Sequence, residues 1–238
     1  MRPLRAEIRL NHLRDNYQAL KRIHGGKLLA VVKANAYGHG AVRCAHALAD
    51  LADGFAVACL EEAVELREKG IELPIVLLEG VFEAAEYEVV DRLRLWPVVA
   101  NQWQLETLLS HDWQQPGKVW LKMDSGMHRA GFFPHNFAAA YTALVQSPKV
   151  AEVVKMSHFA CADDAERAVT ERQIEAFDLG AEGLPGEESL ANSAAMLAYP
   201  EARRDWGRAG IALYGADPFL AQDERIKPVM RLVSRVFN

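Results

Sequence analysis

Five short apolar runs in this chain end on residues able to do chemistry. The first, 28–32, ends on Lys33 and passes into Ala34-Asn35-Ala36-Tyr37-Gly38-His39-Gly40. A charged side chain at the end of a buried run is costly unless it is paired or used. A lysine amine there is a candidate nucleophile where it is not simply reaching water. The run 119–123 contains Lys122 and leads through Asp124-Ser125-Gly126-Met127-His128 to Arg129. Arginine offers forked donors suited to carboxylates and phosphates. The run 150–156 leads to Ser157-His158-Phe159-Ala160, the run 189–191 to Asn192-Ser193, and the run 205–208 to Arg208-Ala209-Gly210-Ile211. Singly, each has an ordinary explanation: a lysine reaching water, a tyrosine in a core, a satisfied structural histidine. Their shared position is what argues for a site.

Apolar runs alternate with helical periodicity along the chain. Strands are predicted at 28–32, 55–59, 75–78, 96–99, 119–123, 150–156, 189–191 and 205–208. Asn11 is predicted to cap a helix presenting Leu13, Tyr17 and Leu20. Glu65 and Lys69 are spaced as a helical ion pair, a helix is predicted over 83–93, and Asn101 with Gln104 reads as a capping box. Pro134 opens a helix whose inward set is Phe137, Ala140, Tyr141 and Leu144. Eight strands alternating with helices predict an α/β fold, a (β/α)8 TIM barrel, with a doubly wound sheet as the alternative. In a barrel, strand carboxyl ends are where a site is built. An extended segment, 228–238, follows the predicted closure with no later strand to pair with.

The 238 residues suffice for one large or two small domains. A net charge of −5, without a basic stripe, argues against nucleic acid as a partner. No apolar run is long enough to span a membrane, and the charged first nine residues lack a signal core. Cys44, Cys59 and Cys161 are isolated, which predicts reduced thiols, a cytoplasmic setting and no metal site.

Residues 31–40 (Val-Val-Lys-Ala-Asn-Ala-Tyr-Gly-His-Gly) resemble the signature of alanine racemases, and the likeness extends along nearly the whole chain. The resemblance implies a barrel carrying pyridoxal 5′-phosphate (PLP) on Lys33 as a Schiff base, interconversion of L- and D-alanine, and a place in peptidoglycan precursor supply or D-alanine catabolism. It implies that Tyr37 reaches the phosphate, held also by Ser193 and the Gly210 and Ile211 amides, with Asn192 beside it. Lys122 would be carbamylated and would orient Arg129, which reaches the ring hydroxyl and the substrate carboxylate. His158 would lie against the pyridine ring and hydrogen-bond an arginine. Arg208 would face the ring nitrogen and keep it unprotonated, suppressing side reactions such as transamination. Gly207 and Ala209 stand where the family has a bulkier residue and a proline, so the segment bearing Arg208 is expected to be looser. Ala130 replaces a leucine.

Family members continue into a C-terminal β-domain and form head-to-tail homodimers, in which a tyrosine of that domain from the other subunit is the second base. The resemblance therefore implies a barrel over 1–227, the start of that domain at 228–238, and a fragment weakly active or inactive alone. A lone PLP-binding homeostasis barrel is the alternative function. A PLP decarboxylase of the same barrel type would want an acid in place of Arg208, and a plain structural barrel would leave the strand-end residues unused.

Overall fold

A computed structural model describes residues 4–164, 166–219 and 223–236. Strand β1 (Arg5–Ile8) leads into helix Leu10–His24. Then come β2 (Lys27–Val31), β3 (Gly54–Val57), β4 (Ile75–Leu77), β5 (Trp96–Val99), β6 (Gly117–Lys122), β7 (Val150–Met156), β8 (Glu188–Ser189), β9 (Trp206–Ala209) and β10 (Met230–Val233). β2 to β9 form a parallel eight-stranded sheet in chain order, with β9 returning to pair with β2. The β8–β9 seam carries an Arg208 N–H bond to the Ala191 carbonyl (3.0 Å) and a Ser189 hydroxyl bond to the Trp206 carbonyl (2.9 Å). The result is a nearly closed TIM barrel.

Period-two alternation decides which side chains face inward. Leu29 and Val31, Ala56, Val76, Val98, Trp120, Val154 and Met156, and Trp206 pack together inside the barrel. Their strand neighbours pack outward against the surrounding helices. At the amino end Trp206 meets Trp96 and Trp120 edge-on, with ring centroids 5.9 and 5.6 Å apart. The Lys118 ammonium lies 4.8 Å from the Trp96 ring, and Glu187 bonds Lys118 (3.0 Å), Lys27 and the Trp206 indole N–H (2.6 Å). Aromatic and ionic contacts thus floor the barrel.

Local details depart from the sequence reading. The first helix starts at Leu10 without a side-chain cap, so Asn11 lies inside it, because β1 feeds the helix directly and the Arg9 N–H bonds the Val229 carbonyl (2.8 Å). The helix predicted over 83–93 is only Glu86–Arg92, because the Glu86 carboxylate takes the Phe82 and Glu83 amides (2.7 and 3.4 Å) and holds the preceding residues as a turn. Glu65 and Lys69 form no ion pair among the described residues, since Lys69 is the last, non-helical cap position. Asn101 caps the Gln104 N–H (2.9 Å), but Gln104 reaches back to the Ala100 amide rather than to that of Asn101 (2.8 Å).

The final segment does have a partner, earlier rather than later in the chain. β10 pairs antiparallel with β1, from Ile8 opposite Met230 to Arg5 opposite Val233. Phe237 and Asn238 lie outside the described residues.

Candidate active site at the carboxyl end of the barrel

The alternation that fills the barrel also builds its rim. Leu29 and Val31 are followed by Lys33, Trp120 by Lys122, Val154 and Met156 by His158, and Trp206 by Arg208. All four polar residues line one cavity of about 780 Å³ at the strand carboxyl ends. Tyr37, Arg129, Asn192, Ser193, Gly210 and Ile211 line the same cavity. Every residue singled out from sequence is therefore brought together.

Arg208 is buried within β9 and pairs with Leu29 of β2, so it sits in a strand rather than a looser loop. One terminal nitrogen donates to the Ser189 carbonyl (2.8 Å) and hydroxyl (2.6 Å). The other donates to the Ser157 (2.7 Å) and Leu190 (3.0 Å) carbonyls and meets His158 Nδ1 at 3.3 Å. Burial lowers its pKa to about 10. Its Nε–H takes part in none of these bonds. Gly207 has a steric reason: a Cβ there would lie 2.8 Å from Leu28 Cδ1 and 2.9 Å from His24 Nδ1.

His158 is pulled down to about 3 by burial first, then by the Arg208, Lys122, Arg129 and Lys33 charges. It is a neutral imidazole at pH 7. Arginine only donates, so Nδ1 accepts.

Lys122 is buried with no carboxylate within ion-pair distance among the described residues. Burial, with Arg129 and Arg208 adding to it, lowers its pKa to about 8. Arg129 lies on the exposed wall of the cavity and forms no ion pair among the described residues. Both cations line the same cavity, and the Arg129 charge is felt at Lys122.

After Lys33 the backbone turns left-handed at four successive non-glycine residues, with φ of 50°, 54°, 55° and 51° at Ala34, Asn35, Ala36 and Tyr37. Each costs about 1 kcal/mol or more. The turn needs outside support. The Asn35 side chain accepts from the Ala41 amide (2.8 Å), and His39 Nδ1 contacts the Ala36 and Tyr37 carbonyls (2.9 and 3.1 Å). The Tyr37 ring lies 5.0 Å from that of Tyr214, whose hydroxyl donates to the Val31 carbonyl (2.8 Å). Neither the left-handed turn nor Tyr214 was assigned a role from sequence; the Asn-Ala-Tyr-Gly composition alone does not signal either.

The Tyr37 hydroxyl, Ser193 and Gly210 converge at one end of the cavity. A Cβ on Gly210 would lie 3.0 Å from the Tyr37 hydroxyl and 3.7 Å from Ser193 Oγ, so the glycine keeps a cradle open. Ser193 Oγ accepts from the Gly210 and Ala212 amides (3.0 and 3.2 Å). Among the described residues of the lining, Lys33, Lys122, Arg129 and Arg208 face two carboxylates, Glu79 and Asp163. A cation surplus, an open cradle beside a helix amino end and an unused arginine Nε–H fit a phosphorylated pyridine.

Residues 8–218 match the family model "Alanine racemase, N-terminal domain". The whole chain is 70% identical to an alanine racemase of Neisseria meningitidis serogroup C, spanning 68% of its length, and 54% identical to a catabolic alanine racemase of Pseudomonas aeruginosa, again spanning 68%. The fold superposes on a biosynthetic alanine racemase from Pseudomonas aeruginosa with a TM-score of 0.93 and 48% identity, over 98% of this chain and 66% of that one. An alanine racemase from Acinetobacter baumannii gives a TM-score of 0.93 at 36% identity, over 100% and 68%. This chain thus spans about two thirds of its relatives and belongs to the alanine racemase family of PLP-dependent isomerases, carrying the family's N-terminal barrel domain.

Proposed function

We propose that the chain holds PLP on Lys33 and supplies half of the machinery that interconverts L- and D-alanine, serving D-alanine metabolism in the cytoplasm. The observation that supports this most is the one cavity in which Lys33, the cradle kept open at Gly210 and an arginine with no carboxylate partner among the described residues meet. When bound, PLP supplies an electron sink for the α-carbon of an amino acid that has lost its proton.

The chain's own groups then divide the work. Lys33 removes or returns the α-proton on one face. Tyr37, Ser193 and the Gly210 and Ile211 amides would hold the phosphate, the Gly210 N–H turning to it from Ser193 Oγ, with Asn192 fixing the helix start by accepting from the Ala195 amide (3.0 Å). Arg208 would offer a donor to the ring nitrogen and so leave that nitrogen unprotonated and the sink weaker, which would favour simple proton return. His158, neutral, would lie beside the ring. Lys122 is carbamylated, and the resulting anion orients Arg129 toward the substrate carboxylate.

The opposite face needs a second base. In this reading it is a tyrosine of the family's C-terminal domain, contributed by the partner in a head-to-tail dimer and outside these 238 residues. In this reading 228–238, which contains β10, is the start of that second domain, and β1 of the barrel domain pairs with it. Leu4, Leu232 and Val236 stand exposed on or beside this two-stranded ribbon, and such a ribbon is marginal until more structure covers it. No described helix is long and apolar enough to cross a membrane.

The test is the visible absorbance of the purified chain after incubation with PLP, beside Lys33→Ala. A band of lysine-bound cofactor in the parent and none in the variant is expected. A band of equal strength in both would place the cofactor elsewhere. Alanine racemisation by the chain alone is expected to be feeble, and to rise when a C-terminal domain is supplied.

A further inference from the structure

The left-handed turn that follows Lys33 is tied to the barrel by one carboxylate outside the cavity lining. Glu62 lies in the first turn of helix Leu60–Glu68, after β3. One of its oxygens accepts the Ala34 N–H at 2.6 Å, and the other accepts the Ala58 N–H at 2.8 Å. Ala34 is the first of the four left-handed residues, and its amide is the peptide link to Lys33. Ala58 directly follows β3, the strand that pairs with β2. The Val32 amide bonds the Ala56 carbonyl (2.9 Å), so the two strand exits are already in register. Glu62 carries that register one step further, across Lys33.

We infer that Glu62 is a positioning residue for Lys33: its bridge between the Ala34 and Ala58 amides holds the left-handed turn and thereby aims the Lys33 amine into the cavity. This rests on the reading that Lys33 is the residue that takes PLP. The geometry also separates this role from ordinary helix capping. Support of the helix start would use only the oxygen on Ala58, the residue before the Cys59 N-cap, whereas the oxygen on Ala34 serves no part of that helix. A carboxylate is the right group because both partners are N–H donors and it has only acceptors to offer. A glutamine of the same shape keeps one acceptor and turns an NH₂ donor toward the second amide.

The experiment uses the whole 238-residue chain. PLP is added, the Lys33 adduct is reduced with borohydride, and labelling at Lys33 is compared by mass spectrometry with labelling at exposed Lys69. Glu62→Gln is expected to cut the Lys33-to-Lys69 ratio by on the order of tenfold, the size of one lost hydrogen bond to a charged group. Adding Ala34→Gly, which removes the steric objection to a positive φ, is expected to recover most of that loss. A ratio unchanged in Glu62→Gln overturns the inference. So does a fall that Ala34→Gly leaves untouched while the melting temperature drops, the result expected of capping alone. If the parent chain labels Lys33 no faster than Lys69, the PLP reading fails by itself. Deuterium exchange at the Ala34 amide then decides the clamp: acceleration of about tenfold in Glu62→Gln supports it, and an unchanged rate overturns it.

Discussion

Arg208 donates to Nδ1 of His158 across 3.3 Å, at the centre of a buried site where neither residue has a carboxylate partner among the described residues. The arginine is instead caged by the Ser157, Ser189 and Leu190 carbonyls. Burial first, and then this fixed cation beside it, keep the histidine neutral, with its pKa near 3.

The first prediction concerns that histidine. Its imidazole is expected not to titrate between pH 5 and 8, as followed by NMR of ring-labelled protein. The unfolded chain binds this proton near pH 6.5 and the folded chain only near 3. Stability is therefore intact above 6.5 and declines as pH falls from 6.5 toward 3. At pH 5 the loss is about 1–2 kcal/mol. His158→Asn is expected to flatten that part of the acid limb in urea titrations, and an unchanged limb would contradict it.

Lys122 gives the second prediction. A buried amine with a pKa near 8 has a substantial neutral fraction at pH 7–8, the form that adds CO₂. Incubation with ¹³C-bicarbonate is expected to give a carbamate NMR signal that Lys122→Met abolishes. Without CO₂ the folded pKa lies below the unfolded value of 10.5, so the lysine's stability cost is absent above 10.5 and fully present below 8. Lys122→Met is then expected to stabilise the CO₂-free chain at pH 7 by about 1–2 kcal/mol, read as a rise in Tm.

The residues that could be read from sequence and those that could not differ in the range of the interactions that place them. Lys33, Lys122, His158 and Arg208 were legible because each stands at or beside the carboxyl end of an apolar run, in stretches that resemble the family's motifs. The barrel was legible from eight such runs alternating with helical periodicity. The left-handed path of Ala34 to Tyr37 was not, since it depends on Tyr214 and Glu62, far along the chain. The pairing of β10 with β1 was hidden too, because it joins the two ends of the sequence. Gly207 read as a loosening departure. Its fit against His24 is a tertiary fact that no local pattern carries.

The barrel floor provides the third prediction. Burial pushes Glu187 up, but hydrogen bonds from Lys27, Trp206 and Lys118 outweigh it and hold the carboxylate near 2. Its stabilising contribution is present above the ordinary value of 4.5 and is lost as pH falls from there toward 2. Glu187→Gln is expected to destabilise the chain by about 1 kcal/mol at pH 7 and by almost nothing at pH 2.5. Denaturant unfolding at both pH values tests this; equal losses would assign the effect to packing rather than charge. Trp206→Ala, which empties the floor, is expected to cost about 3–5 kcal/mol at either pH.

The fourth prediction joins Gly207 to His24. His24 is buried at the end of the first helix, and neither ring nitrogen has a hydrogen-bond partner among the described residues. Its ring occupies the space a side chain at 207 would need, 2.9 Å from where the Cβ would sit. Gly207→Ala alone is expected to destabilise the chain by about 1–3 kcal/mol through overpacking. In a His24→Ala background the same substitution finds the ring's space vacated, while Leu28 Cδ1, a flexible side-chain end, still lies 2.8 Å from the Cβ. The double-mutant cycle is therefore expected to show a favourable coupling of about 1 kcal/mol. Because Arg208 follows Gly207 in β9, a backbone shift at 207 reaches the site. PLP binding, followed by visible absorbance, is expected to weaken in Gly207→Ala and to recover in the double variant. Additive losses in stability, with no recovery of binding, would mean that the close fit of His24 and Gly207 has no bearing on where Arg208 stands.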